Sequence, residues 1–254
     1  MDWELTGKTA LVTGASRGIG AATALALANH GASRLILHYN SHRPGIEAVM
    51  GEVRSAGAEA SAIQADLSAS AGIESFLQSL KAAGAGVDIL VNNAGSLVQR
   101  AKLADFTPEL FDRVMTLNVK SAWFIAQAVA PHMIDRKSGF IVNVSSIAAR
   151  NGGGIGATVY AAAKAAVAAM TKGMMKELAP HGIRVNAVSP GTVDNNFHAQ
   201  FSTRQILDAV VAATPAGALG TNEEVADTIV FLCSPAARYI HGQTIEINGG
   251  MFTV

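Results

Sequence analysis

Short runs rich in valine, isoleucine and leucine recur along the chain, with helix-length segments between them. The runs fall at 9–13, 34–39, 60–64, 89–92, 140–145, 184–189 and 244–247. In ALVT, RLILHY, DILVNN and FIVNVSS the apolar character is continuous rather than alternating. A strand of that kind is covered on both faces, which is the condition of a parallel sheet between two layers of helices. Regular alternation of strand and helix then favours right-handed crossovers and a doubly wound arrangement. The expectation is an α/β fold with a mainly parallel seven-stranded sheet. The glycine-rich stretch 151–156 is short and lies inside the repeating pattern, so it reads as a loop, and residues 1–254 read as one domain.

Charge supports a well-covered or self-associating chain. Only 15% of the 254 residues are charged, against about 25% in an average soluble protein. The 19 Lys and Arg cancel the 19 Asp and Glu, which argues against nucleic acid or an anionic membrane surface as partner. The longest apolar segments, such as 122–130, fall short of the ~18 to 20 residues that span a bilayer. The first eight residues hold two acids and no apolar run of signal-peptide length, so nothing there directs export. One cysteine, Cys233, suits a reducing compartment. A cytoplasmic protein is expected.

The first run leads into Thr13-Gly14-Ala15-Ser16-Arg17-Gly18-Ile19-Gly20, followed by an alanine-rich, helix-favouring stretch. Glycines here allow a tight turn, a close approach of backbone to a pyrophosphate and close packing of helix on strand, while the helix start presents free N–H groups. The spacing is Gly-x-x-x-Gly-x-Gly, different from Gly-x-Gly-x-x-Gly, and no Gly-Lys-Ser/Thr completes a triphosphatase loop. After the second run the chain reads His38-Tyr39-Asn40-Ser41-His42-Arg43, without the acid that bonds a ribose 2′-hydroxyl and repels a 2′-phosphate. Arg17, Asn40, Ser41 and Arg43 could supply donors to that phosphate. NADP(H) is therefore expected in preference to NAD(H).

Tyr160-Ala-Ala-Ala-Lys164 opens a long run of small residues. Residues four apart share one helix face, about 6 Å between Cβ atoms. An ammonium there would stabilise the phenolate and bring Tyr160 toward a value useful for proton transfer.

Four signals occur in one order: the glycine turn, Asn92-Asn93-Ala94-Gly95, Ser145-Ser146 and Tyr160-x-x-x-Lys164. On these motifs the chain resembles the short-chain dehydrogenases/reductases, a family of Rossmann-fold oxidoreductases. The resemblance runs from Lys8-Thr-Ala-Leu-Val-Thr-Gly14 to Gly242-Gln-Thr-Ile-Glu-Ile-Asn-Gly-Gly250 and includes Asp66-Leu67, Leu117-Asn118-Val119 and Ser189-Pro190-Gly191. It implies that Tyr160 is the general acid in carbonyl reduction and the base in alcohol oxidation. Lys164 would lower its pKa and bond the nicotinamide ribose, Ser146 would polarise the carbonyl, and Asn118 would hold a water in a relay to Lys164. The cofactor would lie along Gly14, Ser16, Arg17, Gly18, Ile19 and Gly20. Tyr39, Asn40, Ser41, Asp66 and Leu67 would border its adenosine. Asn92, Ala94, Gly95, Tyr160 and Lys164 would line its middle, and Pro190, Gly191 and Val193 would meet the carboxamide.

Two departures stand out. Ser146 lies fourteen positions before Tyr160 and Ser145 fifteen, whereas the family serine usually stands one position nearer the tyrosine. The reading takes Ser146, with Ser145 the alternative. Asn195 occupies a place where relatives often carry threonine, and an amide still donates and accepts hydrogen bonds.

Seven scattered histidines offer no set of ligands, and no metal is expected. Asn143-Val-Ser145 matches a glycosylation acceptor but sits in a predicted buried strand. The segment 192–219 corresponds to the family's substrate lid, with Val193, Phe197, Phe201, Ile206 and Leu207 as its apolar residues. The nearest general resemblance is to 3-oxoacyl thioester reductases, whose carrier docks on basic residues; here Arg136, Lys137, Lys172 and His181 stand in those neighbourhoods. Sugar or polyol, steroid and cyclic-ketone reductases are alternatives, as is a catalytically silent dinucleotide-binding sensor. Enoyl reductases separate their tyrosine and lysine by a longer interval. The helix expected over 107–132 and that of Tyr160 build subunit interfaces in the family, so a homotetramer is expected.

Overall fold

The computed structural model describes Trp3, residues 5–84 and residues 86–253, with the backbone alone for 198 and 199. Seven strands, β1 (Thr9–Val12), β2 (Arg34–Tyr39), β3 (Glu59–Gln64), β4 (Ile89–Asn92), β5 (Gly139–Val144), β6 (Ile183–Pro190) and β7 (Thr244–Ile247), form one sheet. Its order is β3-β2-β1-β4-β5-β6-β7. Every named pair is parallel, so the sheet is wholly rather than mainly parallel. β2, β4 and β7 have the expected ends, and the ends of β1, β3, β5 and β6 differ from the expected ones by a residue. Thr13, for instance, leaves the β1 ladder because its hydroxyl accepts the N–H groups of Asn93 and Ala94 at 3.0 and 2.9 Å. The edge strand β3 is polar and largely exposed, a composition that discourages pairing with another chain.

Helices α1 (Gly18–Asn29), α2 (Arg43–Ser55), α3 (Ser70–Ala82), α4 (Pro108–Met115), α5 (Ser121–Arg136), α6 (Ala148–Asn151), α7 (Thr158–Leu178), α8 (Asn196–Phe201), α9 (Arg204–Ala213) and α10 (Asn222–Leu232) occupy the crossovers. One core lies between the sheet and α1, α2 and α10, around Leu27, Leu35 and Ile229. The other lies between the sheet and α3, α5 and α7, around Phe76, Leu90 and Ile125. Fully burying one such side chain contributes roughly 1.5 to 3 kcal/mol. The continuous apolar strands β1, β2 and β4 feed both cores from alternate residues, which is why they show no polar face.

The helix expected over 107–132 is interrupted. Between α4 and α5 the backbone makes a π-turn at Thr116–Lys120, and α5 then continues to Arg136 with Pro131 inside it. A π-turn accommodates one extra residue in a helix and re-aims the side chains around it. Asn118 sits in that turn and its amide donates to Val114 O at 2.8 Å. No described helix is long and apolar enough to cross a membrane.

Strand order reverses between β1 and β4, the point at which open α/β sheets bind ligands beyond the carboxyl ends of their strands. The main cavity, about 1050 Å³, lies there.

Candidate active site

The glycine turn joins β1 to α1 at one end of this cavity. Gly14 and Gly18 have φ of +66° and +61°, which L side chains rarely adopt. At Gly20 an added Cβ would meet Gly14 O at 2.4 Å, so only glycine lets the helix start pack on the turn. Arg17, the N-cap, makes no side-chain cap, and the first helical N–H groups therefore keep their capacity for an anion. Ser16, Arg17, Gly18 and Ile19 line the cavity beside Asn40 and Ser41. This donor set and the glycine cradle fit a dinucleotide's phosphates.

Buried polar contacts hold the turn in place. Asn93 donates from Nδ2 to Thr13 O at 2.8 Å and Gly14 O at 3.2 Å. His38 accepts the Gly14 N–H on Nδ1 at 3.0 Å. That bond requires an unprotonated Nδ1, so Nε2 carries the proton toward Ala65 O, 3.1 Å away. Burial pushes the imidazole down to about 4, against the pull of the Ala65 carbonyl and of Asp66. Asp66 also lines the cavity. Burial would raise its carboxyl, but two hydrogen bonds from Ser68, then Arg113 and His38, hold it below its ordinary value.

At the centre, Tyr160 lies in the first turn of α7 and Lys164 one turn on. Burial pushes the phenol up to about 12, and its hydrogen bond with Ser146 works in the opposite direction. Lys164 is buried, and burial lowers its ammonium to about 8. Its Nζ donates to Val144 O at 2.8 Å and stands 5.7 Å from the Tyr160 ring centroid. The expected lowering by the lysine is absent from the influences on the phenol, which are desolvation and, opposing it, Ser146. A Cβ on Gly95 would meet Asn118 Oδ1 at 2.7 Å and Lys164 Nζ at 2.8 Å, so the three converge on one spot. Asn118 spends both amide hydrogens on Ser96 O and Val114 O, and its Oδ1 accepts the Ser96 N–H. Neither hydrogen is left to hold a water.

The two serines have different partners. Ser145 is buried and donates to Lys164 O at 2.8 Å, whereas Ser146 is the one that meets the phenol. Beyond it, Pro190, Gly191 and Val193 line the cavity. Asn195, which lines it, donates to Asn222 Oδ1 at 3.0 Å, close to Gly18. Phe197, Phe201, Ile206 and Leu207, on α8 and α9, face the cavity. The Val193–Gly220 bridge closes the base of that excursion.

Several expected residues lie elsewhere. Asn92 is buried under the site, donating to Asn143 Oδ1 at 2.9 Å and Ala122 O at 3.2 Å, because the last residue of β4 points into the core. Its neighbour Asn93 faces the cavity instead. Tyr39 packs on the α1/α2 core; side chains alternate along β2, and it is His38 that reaches the turn. Arg43 is turned outward onto Glu47 at 2.8 Å. Arg136, Lys137 and His181 flank the amino ends of β5 and β6, and Lys172 lies in the later turns of α7, so within one chain they are at the opposite end of the sheet from the cavity. Sequence reasoning missed Asn93, Ser96, Arg100 and Arg113, which line the cavity, and gave His38 no role. Alternation along β2 and β4 could have found His38 and Asn93; nothing local marks Arg100 or Arg113. Asn143, the glycosylation candidate, is fully buried, and the side chain of His198 lies outside the described residues.

A turn that fits a dinucleotide, joined through one cavity to a serine, tyrosine and lysine on β5 and α7, defines a class. The chain belongs to the short-chain dehydrogenase/reductase family of oxidoreductases: a family model described as enoyl-(acyl carrier protein) reductase matches residues 14–252. Within that family, a curated relative from Synechocystis sp., 3-oxoacyl-[acyl-carrier-protein] reductase, is 40% identical over 252 residues, 97% of this chain and 98% of its own. A blue fluorescent protein from a metagenomic library, solved in complex with NADPH, is similar in structure with a TM-score of 0.89 at 34% identity, covering 98% of this chain and 99% of that one. So is 7α-hydroxysteroid dehydrogenase complexed with NADH and 7-oxo glycochenodeoxycholic acid, with a TM-score of 0.88 at 32% identity, covering 98% and 96%.

Proposed function

We propose that the chain is an NADP(H)-preferring carbonyl reductase, working in reverse as an alcohol dehydrogenase. The observation that carries this is the meeting of Ser146 with the Tyr160 phenol in the cavity that the glycine turn closes. The bound nicotinamide would donate or accept the hydride. With its pKa near 12 the phenol is protonated at neutral pH, so it holds the proton that a carbonyl oxygen needs as negative charge develops on it. Ser146 donates to the same oxygen and positions it. Lys164, near 8, keeps a charge that is readily given up and bonds the nicotinamide ribose. Asn118 fixes the Ser96 loop and the π-turn, and a relay water would be held by an acceptor oxygen of Asn118, its amide hydrogens being spent. Gly14, Ser16, Gly18, Ile19 and Gly20 take the pyrophosphate; Arg17, Asn40 and Ser41 take the 2′-phosphate; Asp66 and Leu67 border the adenine. Ala94, Gly95, Pro190, Gly191 and Val193 enclose the nicotinamide half.

The substrate reading is a 3-oxoacyl thioester, supported by the Synechocystis relative, with a sugar or polyol, steroid or cyclic ketone as alternatives. Residues 1–254 act as one cytoplasmic domain with a lid at 192–219. Exposed Phe111 and Trp123 on α4 and α5, with the small exposed residues Ala162, Ala165 and Ala169 on α7, support assembly as a homotetramer. The deciding experiment follows consumption of NADPH and of NADH with 3-oxoacyl thioesters, ketoses and cyclic ketones. Turnover of at least one class, faster with NADPH, is expected. Tight NADPH binding without any turnover would favour a dinucleotide-binding sensor instead.

A further inference from the structure

Arg100 lines the lid end of the cavity and is oriented from two sides. Its Nε donates to Phe201 O at the end of α8, and its Nη1 to Ile155 O in the glycine loop, both at 2.8 Å. A guanidinium has five N–H donors in a fixed fork, so these bonds set its plane and leave three donors over. Arg43, Arg150 and Arg204 each hold a carboxylate at 2.7 to 2.9 Å. Arg100 is in no ion pair among the described residues. The acids that line the cavity are engaged elsewhere: Asp66 with Ser68, and Glu224 with the Thr221 N–H.

The loop that carries Arg100 is tightly determined. Asn118 bonds Ser96 through both its N–H and its carbonyl. Ser96 Oγ accepts the Val98 N–H at 2.9 Å, and Ala101 donates to Gly156 O at 3.3 Å. Val98 itself has φ of +63°, which for a β-branched residue is an outlier held by its surroundings. A ladder of rings leads from there to the phenol: Phe201 stacks edge-on to Phe197 at 5.1 Å, and Phe197 lies 5.8 Å from Tyr160.

We propose that Arg100 determines specificity by receiving an anionic oxygen group of the substrate, a carboxylate or a phosphate, while the carbonyl of the same molecule lies at Tyr160. The inference rests on the carbonyl-reductase reading and narrows it to anionic substrates. A charge-assisted pair with a guanidinium held in place is strong and directional. An anion at the free edge of Arg100 leaves its bond to Phe201 O intact. The anion has two sources: the carboxylate of a keto sugar acid, or the phosphate of a phosphopantetheine thioester.

The test compares wild type, Arg100→Lys and Arg100→Met on two matched pairs of substrates. One is a keto sugar acid against its neutral ketose; the other is a 3-oxoacyl phosphopantetheine thioester against the same acyl group on neutral N-acetylcysteamine. The expected result is a wild-type preference for the anionic member of one pair. Arg100→Met reduces that preference roughly ten- to a hundred-fold, through KM rather than kcat, and Arg100→Lys restores part of it. The pair that responds identifies the source. If Arg100→Met lowers both members of each pair alike, or neither, Arg100 is a latch or a surface charge and the proposal is overturned. Wild type that reduces none of the four compounds sinks the carbonyl-reductase reading. Calorimetric binding of the keto sugar acid to the NADPH-loaded protein then decides Arg100 separately, with equal affinity in wild type and Arg100→Met counting against it.

Discussion

The glycine-turn end of the cavity is held by buried hydrogen bonds between strand ends, whereas the lid end is held by a bridge, ring contacts, an exposed arginine and a few bonds such as Asn195 to Asn222 and Ala216 to Gly249. At the first, Thr13, His38 and Asn93 tie together the ends of β1, β2 and β4. At the second, Val193 pairs with Gly220, and Arg100 reaches Phe201 across 101 positions of sequence. Buried, satisfied polar networks rigidify what they connect. The difference implies a preformed place for the ligand all family members share and an adjustable cover for the one they do not.

The largest effect is expected where the two ends meet. Tyr160→Phe removes the proton donor and leaves the turn untouched. Turnover should fall by about 10² to 10⁴, with dinucleotide affinity from fluorescence titration changed by less than about threefold. Comparable losses in both measurements would mean that the phenol belongs to the dinucleotide end as well. In wild type the phenol must lose its proton before it can accept one from an alcohol. With a pKa pushed up to about 12, oxidation should quicken steadily from pH 7 to pH 10, while Tyr160→Phe shows no such rise.

His38→Leu tests whether the glycine-turn end is as rigid as its bonds suggest. It strands the Gly14 N–H and Ala65 O, each at a cost of about 1 to 3 kcal/mol when left unsatisfied. Dinucleotide affinity should weaken by tenfold or more, with kcat reduced far less. The imidazole titrates near 4 in the fold and near 6.5 when unfolded. Between these values the unfolded chain binds the extra proton, so stability is fully present above pH 6.5 and is lost as pH falls toward 4. The whole contribution is on the order of 3 kcal/mol. Urea denaturation of wild type should show that decline and His38→Leu should not. Parallel curves for the two proteins would remove His38 as its source.

How far each region can be read from sequence follows the same division. The sheet, its two covered faces, the glycine turn and the Tyr160/Lys164 helix all rest on local patterns: continuous apolar strands, glycine spacing and a four-residue helical repeat. Errors at this end came from direction, not presence. The motifs point to Asn92 and Tyr39, whereas Asn93 and His38 line the cavity, because a motif says which residues cluster and only the pleat says which of them faces the cavity. The lid end was less legible. The role of Arg100 depends on which segments meet in space, as does the pull of Arg113 on Asp66 at the other end, and the π-turn that turns Asn118 toward Ser96 has no signal in a sequence that reads as one helix. The phenol's raised pKa is likewise a property of burial, which the Tyr-x-x-x-Lys spacing does not encode.

A smaller effect should separate the two dinucleotides at the rigid end. Arg17 is exposed at the cavity beside Asn40 and Ser41, and with Arg43 committed to Glu47 it is the guanidinium left for a 2′-phosphate there. Arg17→Ala should weaken NADPH binding about tenfold and leave NADH within about twofold. Equal losses for both would show that Arg17 meets the pyrophosphate they have in common.

The smallest change should come from relieving strain at the lid end. Val98 holds φ of +63° in the loop that carries Arg100, a conformation that costs a β-branched residue about 1 to 3 kcal/mol. Val98→Gly removes that cost but adds the backbone entropy glycine loses on folding, roughly 1 kcal/mol. A net gain of up to about 1 kcal/mol is expected, a rise of some 2 to 4 °C in Tm for a chain of this size. The loosened loop should hold Arg100 less firmly, raising KM for the carbonyl substrate a few-fold and leaving that for the dinucleotide unchanged. Strain retained here against stability has a use only if it aims a side chain into the substrate end. A variant that gains stability with no rise in KM would show that it aims nothing, and the contrast between a rigid and an adjustable end would then rest on the lid helices alone.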